Sequence, residues 1–205
     1  GGYGRGEMAP FSDIDIMFLM PKKVTETHTK FIEFMLYILW DLGLKIGHST
    51  RSIAESIDAA NDDQTVLTSL LEMRHVAGDD SIWVKLNRAV QRKITKQKPL
   101  VYVEEKLGER DLRHKRFGDT RYVVEPNVKD GKGGLRDLHS LFWITKYAYR
   151  ANSIIDIVKK GVLRDGEARK FALAQRFLWT VRCHLHFHAD RPEAVSYTHL
   201  RAHET

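Results

Sequence analysis

The chain has 205 residues, 42% hydrophobic and 29% charged, the composition of an ordinary globular protein with room for one medium or two small domains. A single cysteine, Cys183, excludes an intrachain disulfide and agrees with a reducing cytosol; no run approaches the ~20 apolar residues of a membrane span, and no signal peptide heads the chain. The net charge of +6 suits an anionic ligand, but no recognisable nucleic-acid module accompanies it, so neither a membrane nor a nucleic acid is expected as a partner.

The first stretch, Gly1 to Phe18, reads G-G-Y-G-R-G-E-M-A-P-F-S-D-I-D-I-M-F. The chain begins on this glycine turn without an initiator methionine, and we expect a fragment that lacks a preceding strand. Phe11 to Met20 has the composition of an apolar strand, which sends residues i and i+2 to one face. Asp13 and Asp15 then project together while Ile14 and Ile16 point into a core. Two carboxylates on one face offer oxygen ligands for Mg²⁺, which substrate phosphates usually complete. Gly1 and Gly2 leave backbone N–H groups open to close approach by those phosphates, and the Arg5 guanidinium adds a fork of donors. A D-x-D alone is common on solvated strand ends, and the glycines fit neither a dinucleotide fingerprint nor a P-loop. The informative feature is the combination: glycine pair, Arg5, Ser12 lead-in and D-I-D within an apolar strand.

Thr27 to Asp41 shows helical spacing, with Phe31, Phe34, Met35, Ile38, Leu39 and Leu42 expected on the buried face and Gly43 as the stop. A second strand runs from Leu44 to Arg51 and carries Lys45, His48, Ser49 and Arg51 but no carboxylate. Later candidates for a third carboxylate are Glu55, Asp63 and Glu72, although Asp63 is equally placed to cap the helix that follows it. Further helices are expected over Asp80–Thr95, with a basic outer face, and over the charge-rich segment Leu100–Phe117.

The second informative stretch is E-P-N-V-K-D-G-K-G-G-L-R-D, Glu125 to Asp137, a glycine loop leading into a helix near Leu135. Such a loop is a natural anion site beside Lys129, Lys132 and Arg136, and more often simply a loop and cap. Helices over Ile154–Val162 and Asp165–Ala189 follow, the last with Leu173, Phe177, Leu178, Val181 and Leu185 as its core stripe. Cys183, His184, His186 and His188 are better explained as polar helix residues than as metal ligands, because no third partner accompanies them.

The Gly-Gly turn followed by D-I-D-I resembles the polymerase-β-like nucleotidyltransferase superfamily. The fuller string G-G-Y-G-R-G-E…S-D-I-D-I, with E-P-N…G-G-L-R-D in the same order, resembles the bacterial PII uridylyltransferase/uridylyl-removing family, from Gly1 to about Glu193. That resemblance implies an α/β (α+β) nucleotidyltransferase palm with a small mixed sheet over residues 1–98. A mainly helical domain over 99–193 would follow, and then a non-native tail over 194–205. It also implies a cytoplasmic, Mg²⁺-dependent enzyme moving UMP from UTP to a tyrosine of the PII signalling protein. Asp13 and Asp15 would be catalytic and metal-binding, with Asp63 a weak third carboxylate; Gly1, Gly2, Arg5, Ser12, Ser49 and Arg51 would contact the nucleotide. The family's HD hydrolase and ACT sensor domains have no signature in this sequence. Two alternatives are a related nucleotidyltransferase acting on another protein or a small molecule, and a non-catalytic nucleotide-binding regulator.

Overall fold

The computed structural model describes residues 1–96, 98–120 and 122–197, arranged as two compact units, one of Gly1–Met8 with Ser12–Gln97 and one of Ala9–Phe11 with the chain from Lys98. The first unit contains α1 (Gly2–Arg5), β1 (Ile14–Met20), α2 (Glu26–Asp41), β2 (Ile46–Ser52), α3 (Ile53–Asp62), α4 (Gln64–Leu71) and α5 (Asp80–Lys96). Among the described residues the sheet is β1 and β2 alone, and it is parallel rather than mixed. The reason is topological: a helix crossover returns the second strand in the direction of the first. Pairing runs in register from Ile14↔Ile46 to Met20↔Ser52.

Alternation along the paired strands gives the sheet two chemically different faces. Phe18 and Ile46 lie on one, packed against a buried cluster of Met20 with Ile32 and Leu36 of α2. The Trp40 ring meets the His48 ring edge-on over that same face, with centroids 6.3 Å apart. The opposite face carries Asp15, Met17 and Leu19 beside Gly47, Ser49 and Arg51, and Ser56 of α3 reaches it, its hydroxyl 3.8 Å from the Met17 sulfur.

The expected buried face of α2 is corrected by the structure. Ile32 and Leu36 are its buried residues, whereas Phe31, Phe34, Ile38 and Leu42 stand exposed. Nearly every position from Phe31 to Trp40 except Glu33 is apolar or aromatic, so periodicity cannot select one face; the i, i+4 pair facing the sheet does. Helix α3, which the apolar pattern gives no sign of, begins with a reciprocal capping box. The Ser52 N–H donates to Glu55 at 2.7 Å and the Glu55 N–H to the Ser52 hydroxyl at 3.3 Å. α4 and α5 complete the unit's core with Leu67, Leu70, Leu71, Leu86, Val90 and Ile94.

The second unit is helical: α6 (Pro99–Arg116), α7 (Leu135–Tyr149), α8 (Ile154–Lys159) and α9 (Asp165–Ala189). Stacked rings of Tyr102 and Tyr147, 4.1 Å apart, join α6 to α7. Lys106, almost fully buried, lies 5.7 Å from the centre of the Trp143 ring and donates to Glu109 at 2.8 Å. Only Leu185 of the expected α9 stripe is buried; Leu173 and Phe177 are exposed, because α9 is buried near its ends, at Ala168 and at Leu185–His186. His186 donates from Nδ1 to the Pro10 carbonyl, and burial holds its imidazole below the ordinary histidine value. Ala194 and Ser196 run beside the E-P-N stretch through Val128 N–H to Ala194 O (2.8 Å) and Ser196 N–H to Pro126 O (3.0 Å). Residues 198–205 of the expected non-native tail lie outside the described residues.

Candidate active site

The first βαβ unit, β1–α2–β2, positions the carboxylates. Asp15 is exposed on β1, opposite Gly47 of β2, and Asp13 is exposed just before the strand begins, on the other side of Ile14. Two glycines let the backbone approach Asp15 closely. A Cβ on Gly1 would overlap the Asp15 carboxylate, and one on Gly47 would stand 3.0 Å from its Oδ1. The sheet thus presents a carboxylate flanked by backbone on two sides, with no side chain crowding it from either.

Ser49 is the next β2 residue on this face, paired with Met17. Arg51, paired with Leu19, lies four residues along the strand from the level of Asp15, about 13 Å at strand rise. Ser12 stands immediately before Asp13 and is half-buried. Gly2 packs against the Glu7 carbonyl, where a Cβ would sit 2.5 Å away. The Arg5 guanidinium is engaged within the protein, Nε with Glu7 at 3.1 Å and Nη1 with Glu72 at 2.6 Å.

The later carboxylates have local roles. Asp63 caps α4, its Oδ1 accepting from the Thr65 N–H at 2.6 Å. Glu55 belongs to the α3 capping box, and its hydrogen bonds with Ser52 hold its carboxyl below the usual value. Glu72 is buried at the C-cap of α4. Among the described residues no three His, Cys, Asp or Glu side chains are grouped to hold a metal ion. The pair Asp13 and Asp15 nevertheless fits Mg²⁺, a hard cation that is commonly held by one or two carboxylates together with water and substrate phosphate. Asp15 is exposed, so oxygens from water or substrate can reach it.

The Gly131–Gly134 loop is built differently. Its Asn127 side chain accepts from Lys129 and Asp130 N–H groups at 3.0 and 2.7 Å. At the start of α7, Leu135 N–H donates to Val128 O and Arg136 N–H to Lys129 O, at 2.9 and 2.8 Å. Those first-turn donors that an anion would use are therefore spent on the loop itself, and the loop-and-cap alternative holds. Asp137 completes the closure. Its carboxylate accepts from Gly133 N–H at 2.7 Å, from His114 Nε2 at 2.9 Å, and from Arg113. Burial pulls the Asp137 carboxyl upward, but these hydrogen bonds outweigh it and hold the group below its ordinary value.

A parallel strand pair carrying an exposed acidic site beside a glycine turn agrees with the match of residues 1–71 to the family described as nucleotidyltransferase domain. Residues 102–195 match a second family, GlnD PII-uridylyltransferase. A bifunctional uridylyltransferase/uridylyl-removing enzyme of Rhodospirillum rubrum is 53% identical over 193 residues, 94% of this chain and 21% of that protein. Proteins of the same name from Azospirillum brasilense and a Bradyrhizobium species are 53% and 51% identical over equal shares. Over the residues so matched, the chain belongs to the uridylyltransferase/uridylyl-removing enzyme family, and it spans about a fifth of the length of these relatives. No helix among the described residues is long and apolar enough to cross a membrane.

Proposed function

We propose that the face carrying Asp13 and Asp15 is a nucleotidyl-transfer site that moves UMP from UTP to a tyrosine of the PII signalling protein, with Mg²⁺ as cofactor, in the cytoplasm. The observation that carries this reading is the exposed Asp15 carboxylate held between Gly1 and Gly47, with exposed Asp13 two residues before it. The family matches and the names of the relatives narrow the nucleotide and the acceptor.

In this reading the tyrosine oxygen forms a bond to the α-phosphorus, the α–β phosphoanhydride breaks, pyrophosphate leaves and the hydroxyl proton is released. Magnesium, when bound, supplies charge neutralisation at the phosphates and lowers the pKa of the attacking hydroxyl. Asp13 and Asp15 would hold that ion beside the substrate phosphates. The glycine turn lets the triphosphate approach the backbone closely, Ser49 lines the Asp15 face as a donor, and Ser12, just before Asp13, is a further donor. Arg51 supplies positive charge farther along β2. The protein thus contributes positioning and charge stabilisation rather than a covalent intermediate.

Incubating the chain with α-labelled UTP, Mg²⁺ and PII tests the proposal. Label transferred to PII, with release of pyrophosphate, is the expected result. Label on another protein or a small molecule would reassign the acceptor. UTP binding without pyrophosphate release would make the domain a nucleotide-binding regulator.

A further inference from the structure

Glu72 is a buried carboxylate far from Asp15 in sequence, and burying an anion costs free energy unless a cation or several donors meet it. Its side chain is 3% exposed, and the Arg5 guanidinium meets it at 2.6 Å while reaching Glu7 at 3.1 Å with a second nitrogen. The same turn touches this point of the fold twice more. A Cβ on Gly4 would overlap the Glu72 carbonyl, so the two backbones are in direct apposition. The Arg74 guanidinium lies over the Tyr3 ring, 4.8 Å from its centre. Gly6, with φ of 74°, then reverses the chain, and the Glu7 N–H closes the turn on the Gly2 carbonyl at 2.9 Å. The turn is therefore clamped between two carboxylates: Glu72 on one side, and Asp15, against Gly1, on the other.

Resting on the uridylyl-transfer reading above, we infer that Arg5 is a positioning residue that works through Glu72, anchoring the glycine turn to the end of α4 so that Gly1 is held beside Asp15. Two of its donors face protein carboxylates, and its side chain is only 14% exposed. Loss of either partner loosens the turn by the same mechanism, and loss of both adds little.

The test compares Arg5→Gln, Glu72→Gln and the double variant in the 205-residue chain, with Arg5→Lys as the conservative variant. Steady-state transfer with UTP, Mg²⁺ and PII is measured together with UTP binding and thermal unfolding. Displacing a positioned group costs on the order of 10- to 100-fold in turnover. Each single variant is expected to lose kcat by about that factor with KM for UTP nearly unchanged, the double variant to be no worse than either, and Arg5→Lys to recover part of the loss. Raised KM and weakened UTP binding in Arg5→Gln, with Glu72→Gln normal, would assign Arg5 to the triphosphate and overturn the inference. A wild-type chain that transfers nothing sinks the uridylyl reading instead. The inference is then decided by melting temperature, where additive losses in the double variant overturn it and non-additive losses uphold the Arg5–Glu72 coupling.

Discussion

Two glycine loops in this chain look alike in sequence and differ in what they leave available. Gly1–Gly6 wraps a single helical turn and Gly131–Gly134 leads into a helix; both sit near basic residues, and both are followed by an aspartate. In the first, Gly1 packs closely against an exposed carboxylate, and the local cation, Arg5, is engaged by Glu72 and Glu7. In the second, the aspartate itself folds back onto the loop, and Asn127 together with the carbonyls of Val128 and Lys129 takes up the donors. Both loops spend their donors and nearby cations internally, and what separates them is the exposed carboxylate beside the first, a distinction that sequence spacing alone does not carry.

The sharpest way to break the contrast is to neutralise the exposed carboxylate. Asp15→Asn is expected to lower UMP transfer by about a thousandfold or more, with far-UV circular dichroism and melting temperature preserved. Near-normal transfer by the folded variant would remove the site from Asp15. At the other loop, Gly134→Ala drives a Cβ to 2.8 Å from Val128 O and 2.9 Å from Gly131 O. A destabilisation of about 2–4 kcal/mol in denaturant unfolding should follow. A value within error of wild type would mean that the loop is looser than described.

Asp137→Asn is expected to cost about 1.5–3 kcal/mol, since it weakens charge-assisted bonds to Arg113 and His114 inside a partly buried hub. The pH dependence carries the sign. Asp137 is depressed when folded, so its contribution is present above the unfolded value near 3.9 and is lost as pH falls through the lower folded value. Gly47→Ala is milder, because its Cβ would only press on Asp15 Oδ1; a loss of about tenfold in transfer with normal stability is expected. Unchanged kinetics there would mean that β2 does not border the reacting groups.

The smallest expected effect belongs to His186. Burial favours its neutral form, so its contribution is complete above the unfolded value near 6.5 and declines as pH falls toward the lower folded value. His186→Gln should flatten that decline in a series of melting curves between pH 7 and pH 5. An unchanged slope would place the acid sensitivity elsewhere.

Much of the candidate site is legible as a pattern because it is local. D-I-D alternation and the glycine pair are written within eighteen residues, and the strand–helix–strand order around them is a short-range pattern. The ends of α9 were legible too, at Asp165 and Ala189. The buried side of α2 was not, since aromatic and aliphatic residues surround most of the helix and only the sheet chooses Ile32 and Leu36. α3 escaped the apolar pattern, yet Ser52-x-x-Glu55 is a start signal that would have found it. Glu72 could be named from sequence only as a spare carboxylate. Its pairing with Arg5, 67 residues earlier, depends on tertiary packing that no local spacing encodes.

The pairing register of β1 with β2 makes the site sensitive to folding errors in a particular way. Ladder partners are 32 positions apart, as in Asp15↔Gly47, so no tight hairpin sets the alignment. A slip of one residue would bring Ile46 or His48 opposite Asp15. It would also turn Ser49 and Arg51 toward α2 and swing polar groups into the apolar layer of Phe18 and Ile46. The burial that anchors α2 therefore proofreads the alignment of the acidic face, and substitutions at Ile32 or Leu36 would scramble the site without touching it.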